Sequence, residues 1–145
     1  MENNELLYWL AITFSDNLSL RRAKPVVMEW CIEQGEPLAT LFELSPDEIT
    51  AQFDLTATEA AQLLEVGKIA PKYAALVDEL TEREIKVLTR AEARYPRQWI
   101  DALPPLHQPL VLFYRGDFFI LDEPSAALVG SREPNDALQT YVRDL

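Results

Sequence analysis

The chain has 145 residues, 48% of them hydrophobic, and a formal net charge of −11 at pH 7. That is enough apolar material for one compact domain, or a small domain and part of a second. The balance is too acidic for a generally basic nucleic-acid binder, and a lone cysteine, Cys31, excludes an internal disulfide framework and a cysteine-based zinc site. Set among Val27, Trp30 and Ile32, Cys31 reads as a buried thiol. Ten prolines against four glycines point to short, stiff connections. No charged-then-apolar leader and no apolar run of membrane-spanning length is visible, so a soluble cytoplasmic protein is expected.

Charge is unevenly spread. Between Lys24 and Lys68 there is no Lys or Arg, while Glu29, Glu33, Glu36, Glu43, Asp47, Glu48, Asp54, Glu59 and Glu65 all fall there. From Arg83 to Arg97 the balance reverses, with Arg83, Lys86, Arg90, Arg94 and Arg97 against Glu84 and Glu92. The acidic part should repel phosphate and reads as a solvated face or as a surface for a partner.

In chain order, residues 4–14 carry Leu6, Leu7, Leu10 and Phe14 at helical spacing. Ser15, Asp16 and Asn17 break that helix. Ser19 can cap a second, which starts there or as late as Lys24 because Pro25 is tolerated only near a helix start. Gly35 is its natural stop. A short helix follows over residues 37–43. Ser45-Pro46-Asp47-Glu48 combines a capping serine, a proline at the first helical position and a glutamate three residues after the cap. Thr56-Ala57-Thr58-Glu59 repeats that start signal, Gly67 interrupts, and a last helix spans about 70–80. Short helices with short links predict a helical bundle over residues 1–81, of the sterile-alpha-motif-like or helix-hairpin-helix-like kind. The turn after the first helix lacks glycine and carries Asp16, which argues against DNA-backbone binding there.

The pattern changes near residues 80–84. Residues 85–89 alternate like a strand, Tyr95-Pro96 opens a short helix carrying Trp99, Ile100 and Leu103, and residues 110–114 form a second, strongly apolar strand. Arg115-Gly116-Asp117 stops it, and residues 118–121 form a short apolar turn or helix. Residues 126–129 predict a third strand ending at Gly130, followed by a helix from about Pro134. Strands alternating with helical segments imply an α/β unit over residues 82–145. Strand, Gly130-Ser131-Arg132, helix is a phosphate cradle in outline. The glycine allows close backbone approach, a helix start offers unpaired N–H groups, and Arg132 offers a planar charged fork.

Taken together, Tyr95-Pro96, Leu103-Pro104, the run Pro109-Leu110-Val111-Leu112-Phe113-Tyr114-Arg115-Gly116-Asp117, Leu121, and Ala127-Leu128-Val129-Gly130-Ser131-Arg132 resemble the DNA-processing protein A (DprA/Smf) family in order and spacing. Residues 1–80 fit that family's N-terminal helical domain in size and position only. The resemblance implies the beginning of an extended Rossmann fold that binds single-stranded DNA, loads RecA recombinase onto it in recombination and natural transformation, and is not an enzyme. It implies a DNA-phosphate contact at Gly130, Ser131 and Arg132. It also implies a homodimer formed through the part of the Rossmann domain that in the family follows the position of Leu145, so this chain is expected to be either truncated or a short relative. One departure stands out: the Tyr-Gly that usually follows Gly-Ser-Arg is absent from Glu133-Pro134-Asn135-Asp136-Ala137-Leu138, so a helix start shaped differently from the family's is expected there.

Arg115 serves either as a weak electrostatic contributor to DNA binding or as a turn residue paired with Asp117. Arg90, Arg94 and Arg97 form either a basic stripe on phosphate or ordinary surface charge offset by Glu92. Tyr95, Trp99, Phe113 and Tyr114 either stack on bases or pack in a core. His107 reads as a loop residue, and no metal, cofactor or catalytic constellation is expected. Two rival functions remain open: a nucleotide-sensing Rossmann-type protein using the same cradle, and an interaction module built on the acidic helical domain.

Overall fold

The computed structural model describes residues 3–124 and 136–143. Helix α1 (Asn3–Phe14) is the centre of the helical part. Trp9, Leu10, Ala11 and Ile12 are consecutive and all buried, so its middle is covered on every side. Around it stand α2 (Leu20–Val27), α3 (Leu38–Leu41), α4 (Pro46–Gln52), α5 (Ala57–Ile69) and α6 (Ala74–Glu82). This is the expected helical bundle.

Both start signals are built as the spacing predicts. The Ser45 hydroxyl accepts from the Glu48 amide and the Glu48 carboxylate accepts from the Ser45 amide; Thr56 and Glu59 do the same. Helix α3 has no such local device, because Pro37 precedes it. Its free amides are met instead from 33 residues away: the Glu5 carboxylate accepts from Leu38 N at 2.6 Å and from Ala39 N at 3.1 Å. Arg22 locks α2 to the start of α5. Its Nε donates to Glu59 at 2.6 Å, and Nη2 donates to Glu59 at 3.1 Å and to the Asp54 carbonyl at 2.5 Å.

Two local expectations are corrected. The Ser19 side chain makes no capping bond, although its carbonyl accepts from Arg22 N and Ala23 N at the start of α2. Of the two starts expected for α2, the early one holds: the helix begins at Leu20, with Pro25 inside it. Proline removes one i→i−4 bond and crowds the preceding turn, and the helix continues as a wider π-helical turn, Met28–Glu33. That turn ends at Gly35, whose φ of +77° suits glycine. Finally, Gly67 does not interrupt α5, which runs on to Ile69. A Cβ built on Gly67 would lie 2.6–2.9 Å from Phe42 side-chain atoms. The glycine is there because Phe42, stacked on Tyr8 at 5.1 Å, occupies the space.

Strands β1 (Lys86–Thr89) and β2 (Val111–Tyr114) pair antiparallel, with Lys86 opposite Tyr114, Val87 opposite Phe113, Leu88 opposite Leu112 and Thr89 opposite Val111. These two strands are therefore not the parallel crossover that strand–helix alternation suggests. The segment between them holds α7 (Arg97–Ala102) and a 3-10 turn, Pro105–His107, and it reverses the chain instead of carrying it across a sheet. The expected third strand, residues 126–129, lies outside the described residues.

Alternation gives the small sheet two faces. Val87, Thr89, Val111 and Phe113 share the one that meets the bundle: Leu110 and Val111 join the apolar cluster around α1, Val87 packs against it, and the Phe113 ring lies 6.0 Å from Phe14. Lys86, Leu88, Leu112 and Tyr114 share the other face, where Leu88 is fully buried. A 3-10 turn, Phe118–Asp122, follows β2, and helix α8 (Asp136–Arg143) closes the described chain. No described helix is long and apolar enough to cross a membrane.

Candidate nucleic-acid interface

The turn that follows β1 is held by side chains from within the turn and from beyond it. Glu92 accepts from Thr89 N at 3.0 Å with one carboxylate oxygen and from Arg94 Nε at 3.2 Å with the other. Arg90 turns inward. Its amide donates to the Leu110 carbonyl at 2.8 Å, its Nε donates to Gln108 Oε1 at 2.6 Å, and its guanidinium lies 5.0 Å from the centre of the Tyr95 ring. The Gln108 amide nitrogen in turn donates to the carbonyls of Ile100, at 3.2 Å, and Leu103, at 2.8 Å, at the end of α7. Gln108 is fully buried, so all of its carboxamide bonding is internal. Tyr95 is buried too, and its hydroxyl donates to the Pro109 carbonyl at 2.9 Å. Burial pushes that phenol above its usual pKa, with the Arg90 charge opposing. The effect of this network is to fix the turn that carries Arg94.

Arg94 and Lys86 line a groove at the open end of the sheet, together with Tyr114, Gly116, Asp117, Phe118 and Phe119. Its volume is about 460 Å³. Gly116 has φ +92°, which lets the chain turn back over the end of β2. Asp117 then starts the following 3-10 turn, with its Oδ1 accepting from Phe119 N at 3.0 Å. Phe118 packs on Tyr114 with ring centres 4.7 Å apart. Phe119 and Ile120 are left 77% and 68% exposed. Lys86 Nζ lies 5.9 Å from the centre of the Tyr114 ring across the strand pair. Cations beside exposed rings suit a ligand with both phosphate and flat apolar surface.

Residues 86–145 match the family model for DNA recombination-mediator protein A. The match takes in both strands, the groove and the Gly-Ser-Arg motif, and leaves the helical bundle outside it. Comparison with curated proteins and with solved structures gives no match. The resemblance read from the motifs thus holds for the second part of the chain.

Within the matched segment the motif residues acquire physical roles. Tyr95 of the Tyr-Pro pair is a packing residue pinned to the residue before Leu110, so it is not a base-stacking group. In Arg115-Gly116-Asp117 the glycine supplies the positive φ and the aspartate caps the next turn. Arg115 reaches Glu84 at 3.4 Å, not Asp117. Of the two readings of Arg90, Arg94 and Arg97, the basic stripe does not form, because Arg90 is buried against Gln108 and Tyr95, and surface charge offset by Glu92 holds for Arg94. Arg94 and Arg97 stay exposed, Arg94 in contact with Glu92. Phe113 turns toward α1, and Trp99 is half-buried beside Tyr95. Gly130, Ser131 and Arg132 lie outside the described residues.

The sequence reading missed Lys86, Phe118 and Phe119 as site residues. The available signal was the run Phe118-Phe119-Ile120 directly after a tight turn, too apolar for a plain loop. Nothing in the sequence tells that Lys86 faces Tyr114, since a connection with its own helix does not set strand register as a two-residue turn does. Among the described residues no three His, Cys, Asp or Glu side chains gather to hold a metal ion. Cys31 is buried and its thiol is pushed up to about 12, first by burial and second by the Glu5 carboxylate.

Proposed function

We propose that this protein binds single-stranded DNA as a non-enzymatic recombination accessory factor and presents it to RecA recombinase. The single observation that carries this reading is the match of residues 86–145 to the DNA recombination-mediator family. Gly130, Ser131 and Arg132 are its phosphate contact, the family resemblance of that motif being what supports the assignment. Arg94 and Arg97 add positive charge on the surface of the same segment, and Arg115 is a weaker contributor because Glu84 lies against it. The acidic helical bundle repels the strand and so confines it to the second part of the chain. Dimerisation belongs to the same reading.

Binding of this kind is phosphate-led and indifferent to sequence, so it weakens steeply with salt. The test is fluorescence anisotropy of a labelled single strand titrated with the chain at several salt concentrations. Binding with a negative dependence of log K on log salt, reduced by Arg132→Ala, supports the reading. Saturable binding of a mononucleotide without any binding of the single strand replaces it with a nucleotide-sensing function.

A further inference from the structure

We propose that the groove at the open end of the sheet is a stacking platform for unpaired bases, with Phe119 under a base and Lys86 and Arg94 on the adjoining phosphates. The proposal rests on the single-strand reading above, but it names residues other than Gly130, Ser131 and Arg132. Phe119 lies 77% exposed beside the Tyr114–Phe118 ring pair, so the groove offers a flat apolar surface to whatever enters it. Every nucleobase has a face that stacks on such a ring, whatever the sequence.

Charge selects among occupants. The chain carries −11 overall, yet the described residues lining this groove include two cations, Lys86 and Arg94, and one carboxylate, Asp117. The Asp117 carboxylate is engaged by the Phe119 amide. Lys86 has no carboxylate partner among the described residues, and Arg94 meets Glu92 through Nε while the side chain stays 56% exposed. Asp117 keeps its charge and Glu92 balances Arg94, so among the described residues of the lining Lys86 is the unpaired cation that a phosphate beside the ring complements. A second copy of the chain in a twofold contact would instead bring the same cations together. The volume of about 460 Å³ falls within the ~300–1,000 Å³ usual for ligand clefts.

The experiment titrates labelled oligothymidine and a duplex of equal length with the full chain and with Phe119→Ala, Phe119→Trp and Lys86→Gln. Phe119 is so exposed that its replacement leaves the folded state intact, which circular dichroism checks. Phe119→Ala should weaken single-strand binding about tenfold, the effect of losing one stacked base. Phe119→Trp should restore it, and duplex binding should not change. Lys86→Gln should flatten the slope of log K against log salt by about 0.7, one phosphate's worth on a single strand. If Arg132→Ala weakens binding while Phe119→Ala stays within about twofold of the unaltered chain, the groove is not a contact and the single-strand reading survives. If the unaltered chain binds no single strand, both fall. A halving of sedimentation mass in Phe119→Ala with unchanged DNA binding also overturns the proposal, since the groove would then join two copies.

Discussion

Gln108→Leu tests whether one buried carboxamide holds the second part of the chain in shape. The substitution keeps an apolar side chain of similar reach and removes three hydrogen bonds: from Arg90 Nε at 2.6 Å, and to the carbonyls of Ile100 and Leu103 at 3.2 and 2.8 Å. A bond to a charged group contributes about 1.5–3 kcal/mol and each neutral one about 0.5–1.5 kcal/mol, so the gross loss is about 2.5–6 kcal/mol. Burial of the leucine side chain offsets roughly 1–2 kcal/mol of it. The net cost is about 0.5–5 kcal/mol, with a middle value of ~3 kcal/mol that is a large share of the ~5–15 kcal/mol typical of a folded domain. With a urea slope of about 1–3 kcal/mol per molar, the unfolding midpoint should fall by roughly 1–2 M. Gln108→Glu separates the partners. It strengthens the link to Arg90 but turns an acceptor toward the Ile100 and Leu103 carbonyls, so it too should destabilise. A midpoint unchanged in Gln108→Leu would show that the buried guanidinium and the end of α7 find other partners, and the assignment of Gln108 as the linchpin of this turn would be wrong.

Two further outcomes follow from the bundle. Gly67→Ala should gain about 1 kcal/mol of helix propensity but forces a methyl to within 2.6–2.9 Å of Phe42, whose ring is held against Tyr8; overpacking of about 1–3 kcal/mol wins, and Tm should drop by about 5 °C, whereas a rise in Tm would show that Phe42 moves aside freely. Glu59 is held at a pKa of about 2 against an ordinary 4.5, first by the hydrogen bond from Arg22 and then by those from Thr56. A depressed folded-state pKa gives stability that is full above the unfolded value and lost as pH falls through the folded one. The Tm gap between the unaltered protein and Glu59→Gln should therefore be constant above pH 4.5 and close as pH falls toward 2; a gap that is unchanged across that window would mean that Arg22 and Thr56 do not hold the carboxylate.

The division between local and distant causes explains what could be read in advance. Helix starts at Ser45 and Thr56 were legible because a capping box needs only four consecutive residues. The stops at Asp16 and Gly35, the two short strands and the buried Cys31 were legible for the same kind of reason. Gly67 was misread because glycine breaks a helix only when nothing rewards it; here the reward is the Phe42 ring, which only packing brings near. Pro25 leaves the start of α2 open between Ser19 and Lys24 in the sequence; a helix that buries Val26 and Val27 tolerates the lost backbone bond, and the next turn widens to absorb it.

The site divides along the same line. Sequence alone marks the change of pattern near residues 80–84, the Tyr95-Pro96 pair and the Arg115-Gly116-Asp117 turn, because each is a local pattern of residue types. Tertiary structure decides which arginines are available: Arg90 is drawn inward by Gln108, eighteen residues away, and Arg115 is drawn to Glu84, thirty-one residues away. It also decides that Lys86 sits across from Tyr114 and that Phe119 stays in water. Those outcomes depend on strand register and on which face meets α1, and both are set by long-range apolar burial that no short stretch of this sequence encodes.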